Sequence, residues 1–143
     1  MEIRSRLGKV LYKSNSITLD YSDLNNLDLR EAQLSYCNLR LINFSGANLS
    51  GADLFDSYLH LSNLTNADLS YANLFATEVI EVDFCGADLS YANLESAILC
   101  DSDLRGAKLD GVKVNDRTRI NSSTKLDPEQ LTYLILVGLK YGD

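Results

Sequence analysis

Residues 47–71 read ANLSG ADLFD SYLHL SNLTN ADLSY, five successive five-residue units with leucine always third. Extending that register in both directions divides Ile17–Asp116 into twenty units without a slip. Position three is apolar in all twenty: sixteen Leu, with Phe44, Val79, Phe84 and Val114 as the rest. Position one is mostly small, with nine Ala, four Ser, Cys37 and Thr77, and position two is Asp or Asn in thirteen units. A helix would scatter Leu19, Leu24, Leu29 and Leu34 around its axis, and a strand would send them to alternate faces. The period closes only if the chain turns a corner every unit. Four units then make one square coil, and successive coils stack with their backbones paired. Twenty units give about five coils and a rod of about 24 Å, at roughly 4.8 Å per coil. The fold class expected is an all-β solenoid, a parallel β-helix.

Units such as AQLSY, ANLSG, ADLFD, ADLSY and AKLDG closely resemble the A(D/N)LXX signature of pentapeptide repeat proteins, over residues 17–116. The resemblance implies a right-handed quadrilateral β-helix and a bacterial setting, since the family is commonest in bacteria. It implies little about activity, because functions across the family are diverse.

Composition narrows the classes. The chain has 143 residues, 45% of them apolar, which suits one domain with a continuous core. A net charge of −7 argues against direct nucleic-acid binding. No apolar run is long enough for a membrane span, and the N-terminus carries bases without the apolar stretch of a secretory signal. Cys37, Cys85 and Cys100 form no CxxC pair, and their odd number argues against a disulfide framework. A reducing, cytoplasmic setting is therefore expected. The sequons at Asn43, Asn48, Asn63 and Asn121 carry no glycosylation reading in that setting.

The ends must cap exposed backbone. Residues 1–16 form the N-terminal cap, with Ile3, Leu7, Val10 and Leu11 available to cover the first coil; a short strand or a helical turn would serve. Residues 117–143 form the C-terminal cap. There Asp127, Pro128 and Gln130 predict a helix start, with Leu126 and Leu131 placed as a staple and the helix running over about 128–140. Its apolar residues surround the axis, so one face covers the last coil while the other is left for a second copy. The expected homodimer interface is Leu131, Leu134, Ile135, Gly138 and Leu139, a reading that the family's dimeric members also suggest. A helix that only caps is the alternative.

Unit number modulo four assigns each unit to a face. The first face, built on Leu19, Leu39, Leu59, Val79 and Leu99, departs from the consensus by carrying Tyr58, Glu78 and Ile98 at position two. Tyr21, Leu41, Tyr58, His60, Leu61, Ile80 and Ile98 are the candidate partner-binding residues, an apolar patch of the kind that marks protein interfaces. Either terminal segment could instead fold across it. Tyr71 with Tyr91, and Phe55 with Phe75, are expected to stack as ladders supporting the coils.

The rod is acidic: residues 17–116 hold sixteen acids and five bases, and ten acids separate Arg40 from Arg105. Such a rod could imitate duplex DNA, and some pentapeptide repeat proteins resemble DNA and act on DNA gyrase. The candidate residues for that alternative are Asp53, Asp56, Asp68, Asp83, Asp88, Glu95 and Asp103. Half of the sixteen acids, however, occupy position two, where the motif itself supplies Asp. No catalytic, cofactor or metal site is expected. His60 is the lone histidine and has no acid in its own unit, and no phosphate-binding glycine motif occurs. The function expected is a non-enzymatic protein-interaction module.

Overall fold

The computed structural model describes residues 1–140; residues 141–143 of the expected C-terminal cap lie outside it. Position three is buried in every unit from Leu19 to Val114. The corner that makes this possible lies at position five, which has positive φ in nineteen of the twenty units, Asp116 being the exception. Fourteen of those residues are not glycine, and left-handed backbone costs an L-residue roughly 1–2 kcal/mol. Burying the unit's leucine contributes roughly 1.5–3 kcal/mol, enough to hold the turn.

Position two supplies the second restraint. In all thirteen units with Asp or Asn there, the side-chain oxygen accepts the N–H of position four at 2.9–3.3 Å. A short acceptor on a two-bond stem is the side chain that can close this turn, which explains the Asp/Asn preference.

Coils join by a repeating parallel ladder. Leu24 N–H donates to Asn43 O at 2.8 Å, Asn26 N–H to Ser45 O at 2.9 Å, and Asn43 N–H returns to Ser22 O at 3.1 Å. Parallel bridges recur at a spacing of one coil from Asp23↔Asn43 to Asn93↔Lys113. The first unit departs from this. Thr18 forms no bridge among the described residues and Ile17 is 94% exposed, although Leu19 is buried.

The N-terminal cap is a β-hairpin, β1 (Glu2–Arg4) antiparallel to β2 (Val10–Lys13). It stands in for a missing coil above the third and fourth faces: Gln33 N–H donates to Arg4 O at 2.8 Å and Arg6 N–H to Glu31 O at 3.0 Å. Ile3 is buried and Leu11 packs against the core. Leu7 and Val10, expected to cover the coil, are instead 89% and 41% exposed. Leu7 occupies the hairpin turn beside Gly8 (φ 82°) and lines an open cleft with Asp28, Arg30 and Tyr71 instead of being buried on the first coil.

Beyond Asp116 the ladder continues where a cap was expected to begin. Ile98 pairs with Arg119 and Asp103 with Lys125. The steps from Lys113 to Arg119 and from Arg119 to Lys125 are each one residue longer than the repeat. Asn115 and Asn121 absorb the extra residue. The Asn115 amide oxygen accepts from Arg117 N–H (3.0 Å), Thr118 N–H (3.1 Å) and Ser96 N–H (3.0 Å), and Asn121 does the same for Ser123, Thr124 and Asp101 at 3.0–3.2 Å.

Helix α1 spans Pro128–Leu136, shorter than the expected 128–140. A glycine-based end stops it. Gly138 (φ 126°) donates to Ile135 O at 3.3 Å and Leu139 N–H to Leu134 O at 2.9 Å, while Leu134 and Leu139 are both buried; this is a Schellman termination with its apolar contact. Side chains of α1 and its N-cap then occupy hydrogen-bonding positions that the next coil would have filled. Asp127 accepts Gly106 N–H at 2.8 Å, the Tyr133 hydroxyl accepts Gly111 N–H at 2.9 Å, and Gln130 donates to Leu104 O and Ala107 O at 2.7 and 2.8 Å.

Candidate functional site

The ladder brings the first-face residues into register. Bridges run Asn38↔Tyr58↔Glu78↔Ile98↔Arg119, so position two of successive coils forms one column. Asp20, Arg40, His60, Ile80 and Cys100 follow one another at position four, and Tyr21, Leu41 and Leu61 at position five. All three of the last group have left-handed backbone, with φ of 57–62°. Tyr58 and Leu61 are 42% and 46% exposed and Tyr21 more so, while Leu41, His60, Ile80 and Ile98 are half-buried. Among the described residues neither the hairpin nor α1 folds across this face: the hairpin binds at Glu31 and Gln33, and α1 with its N-cap at Leu104, Gly106, Ala107 and Gly111, while residues 119–124 extend the face by one coil.

At the centre of the face is an open groove of about 390 Å³ lined by Tyr36, Asn38, Arg40, Tyr58, His60 and Glu78. Four of these were absent from the expected site. Asn38 and Glu78 belong to the position-two column already singled out. Arg40 stands directly before His60 in the position-four column. Tyr36 counts as fourth-face by unit number, but it closes that unit at the corner and overlooks the first face. The Tyr58 and His60 rings meet edge-on with centroids 6.3 Å apart, and His60 Nε2 lies 3.4 Å from Glu78 Oε2. Tyr36 is braced from behind by Phe55 (5.3 Å, edge-on), which stacks on Phe75 at 5.7 Å. On the third face Tyr71 and Tyr91 stack at 5.0 Å.

The acidic candidates are placed differently. Asp53, Asp68, Asp83, Asp88 and Asp103 are all turn-closing position-two residues. Asp88 also meets Lys108 at 3.1 Å, and Asp103 meets Arg105 at 2.6 Å and Lys125 at 3.5 Å. The Arg105 guanidinium holds the Asp103 carboxyl far below the ordinary carboxylate range, and the hydrogen bond from Ser90 lowers that of Asp88. Asp56 and Glu95 are half-buried. Cys85, beside Asp83 and Asp103, has its thiol pushed up to about 12, by burial first and then by those two carboxylates. Among the described residues no group of three or more His, Cys, Asp or Glu could hold a metal ion, and no helix is long and apolar enough to cross a membrane.

Within the expected dimer interface, Leu134 and Leu139 are 1% and 3% exposed, because they cover the last coil. Gly138 lies against that coil, with space for a Cβ only 3.3 Å from Val114 O. Leu131 is half-buried, and Ile135 is exposed. The outward apolar residues are therefore Ile135, Leu136 and Val137, of which Leu136, 78% exposed, and Val137 lie outside the expected set.

The family profile described as pentapeptide repeats (8 copies) matches residues 17–46, 42–77 and 80–116. Among solved structures the chain is similar to a pentapeptide repeat protein of the Arabidopsis thaliana thylakoid lumen. That match has 26% identity and a TM-score of 0.54 over 85% of this chain and 78% of the other. It is also similar to the pentapeptide repeat protein Rfr23 of the cyanobacterium Cyanothece 51142 (28% identity, TM-score 0.34, 63% of this chain and 64% of that). A third is HetL of the cyanobacterium Nostoc sp. strain PCC 7120, a pentapeptide repeat protein involved in heterocyst differentiation regulation (29% identity, TM-score 0.30, 72% and 59%). The chain thus spans less than two thirds of the length of the two cyanobacterial proteins. The likeness to the Arabidopsis structure identifies the solenoid as the right-handed quadrilateral β-helix. A comparison with curated proteins gave no match.

Proposed function

The chain belongs to the pentapeptide repeat family, and from that premise we propose that it is a non-enzymatic docking module. A protein partner seats on the first face around Tyr58, His60, Leu61, Ile80 and Ile98, and a second copy of the chain joins through the outward side of α1. The observation that carries the reading is local to position two. Every Asp or Asn there closes its own turn, yet the first face gives up that bond in three successive coils to present Tyr58, Glu78 and Ile98. A face that forgoes a repeated stabilising contact and leaves Tyr58 and Leu61 exposed has the character of an interface core. A reducing cytoplasm suits three free thiols and is part of the proposal.

The acidic alternative has weaker support. Five of its seven candidate residues close backbone turns, and two of those five also face Lys or Arg side chains.

The test captures partners on the tagged full chain at about 0.1 M and about 0.5 M salt, with wild type beside the Tyr58→Ser/Ile80→Ser double variant. Retention at high salt by wild type alone supports the proposal. A partner lost at high salt yet held by the double variant, together with salt-sensitive inhibition of gyrase supercoiling, would favour the DNA-mimic alternative.

A further inference from the structure

Building on that docking reading, we infer that the groove at the centre of the first face receives an arginine side chain from a basic segment of the partner. Three observations converge on this occupant.

The first is the wall chemistry. Tyr36 and Tyr58 are both substantially exposed, and they line the same groove as the Glu78 carboxylate. Aromatic rings beside a carboxylate suit a cation, and a guanidinium suits them best. It is planar and weakly hydrated, so it lies on a ring while its N–H groups reach the acid. The Phe55–Phe75 stack fixes Tyr36, which lowers the entropy lost when a ligand packs on it.

The second is unsatisfied polarity. Among the described residues His60, at 3.4 Å, is the one charged or ionisable group within ion-pair distance of Glu78, and His60 Nε2 is buried without a hydrogen-bond partner. The pair touches without closing a good hydrogen bond, and this leaves the carboxylate open to a stronger donor.

The third is the surrounding field. Ten acids and no Lys or Arg lie between Arg40 and Arg105, so a basic segment is drawn toward this stretch of the rod. Arg40 is the one Lys or Arg among the described residues that line the groove. No carboxylate of the described residues lies within ion-pair distance of it, so its removal should favour an incoming cation.

The experiment titrates full-length protein with the capped tripeptide Leu-Arg-Leu and with Leu-citrulline-Leu, which keeps the shape but lacks the charge. Chemical shifts of labelled tyrosine rings are the readout, and Tyr71 and Tyr91 on the third face report non-specific binding and folding. The arginine peptide should shift Tyr36 and Tyr58 with a saturable curve. It should bind about fivefold more tightly than the citrulline peptide, and Glu78→Gln should remove about that factor while Arg40→Gln increases affinity. Equal binding of the two peptides, shifts centred on Tyr71 and Tyr91, or indifference to Glu78→Gln each overturn the inference. The capture assay separates the two levels. A partner that needs Tyr58 and Ile80 but tolerates Glu78→Gln sinks the arginine site and leaves the docking face standing. A partner indifferent to Tyr58 and Ile80 sinks both.

Discussion

Ser57 and Ser102 occupy the same repeat position and are both buried, yet they should respond oppositely to alanine. The Ser102 hydroxyl is inserted into the preceding coil: it accepts Val82 N–H at 3.1 Å and donates to Val79 O at 3.0 Å. Removing it strands a buried donor, which costs about 1–3 kcal/mol. Relaxation sets the lower end, because Val82 N–H could then close directly on Val79 O as Ala87 N–H does on Phe84 O at 2.9 Å. The Ser57 hydroxyl has no partner among the described residues. Its own backbone N–H already reaches Leu54 O at 3.1 Å, so Ser57→Ala removes only an unpaired polar atom from the core. That change should stabilise by about 1 kcal/mol. For a chain of 143 residues, the unfolding entropy makes the Ser102→Ala cost a drop of about 3–10 °C in thermal midpoint, against a small rise for Ser57→Ala. Calorimetry on the two variants reads both. Equal losses would refute the idea that the hydroxyl's bonds, and not its volume, matter at position one.

Other outcomes follow from the same structure. The proposed α1 dimer predicts that wild type sediments at twice the chain mass and Leu136→Glu at the chain mass, with the monomer fold retained because Leu136 is exposed on the isolated chain; a wild-type monomer, or a variant mass that stays doubled, would exclude α1 as the interface. The Asp103 carboxyl titrates lower in the folded than in the unfolded chain, so its stabilisation is complete above the ordinary carboxylate pKa of about 4 and is lost as pH falls. Asp103→Asn should therefore flatten the acid limb of the thermal midpoint between about pH 4 and 2, and an unchanged limb would contradict the Arg105 and Lys125 contacts. With its thiol pushed up to about 12, Cys85 should react with iodoacetamide at pH 8.5 about 10³-fold more slowly than in the urea-unfolded chain. Equal rates would mean that neither burial nor the Asp83 and Asp103 carboxylates act on the thiol.

The body of the rod was legible because a five-residue period leaves one geometric solution. The leucines at position three and the small residues at position one each mark the interior directly. The reason for Asp or Asn at position two was not legible, since it lies in a bond to a backbone N–H two residues on. The continuation past Asp116 was hidden by a change of period, though a signal exists: Asn115-Asp-Arg-Thr118-Arg-Ile120 and Asn121-Ser-Ser-Thr124-Lys-Leu126 are tandem six-residue units. In each, the threonine hydroxyl reaches back one coil, Thr118 to Leu94 O at 2.9 Å and Thr124 to Leu99 O at 3.0 Å. At the helix end, Gly138 was read for close approach when it also terminates α1. The first-face column followed from counting units, but Tyr36 did not, because assignment by unit ignores what a corner residue overlooks. Leu134 and Leu139 show the opposite limit. Apolarity alone does not distinguish a residue that covers the last coil from one that faces outward.

The docking face is tested most directly by placing a photo-crosslinking residue at Tyr58 and, separately, at Tyr71 on the third face. Tyr71 is the more exposed of the two, at 65% against 42%, so accessibility alone would favour the control. Irradiation in extract at about 0.5 M salt should give a discrete protein adduct from position 58 and none from position 71. An adduct from position 71 alone, or from both with equal yield, would contradict the assignment of the first face as the partner surface.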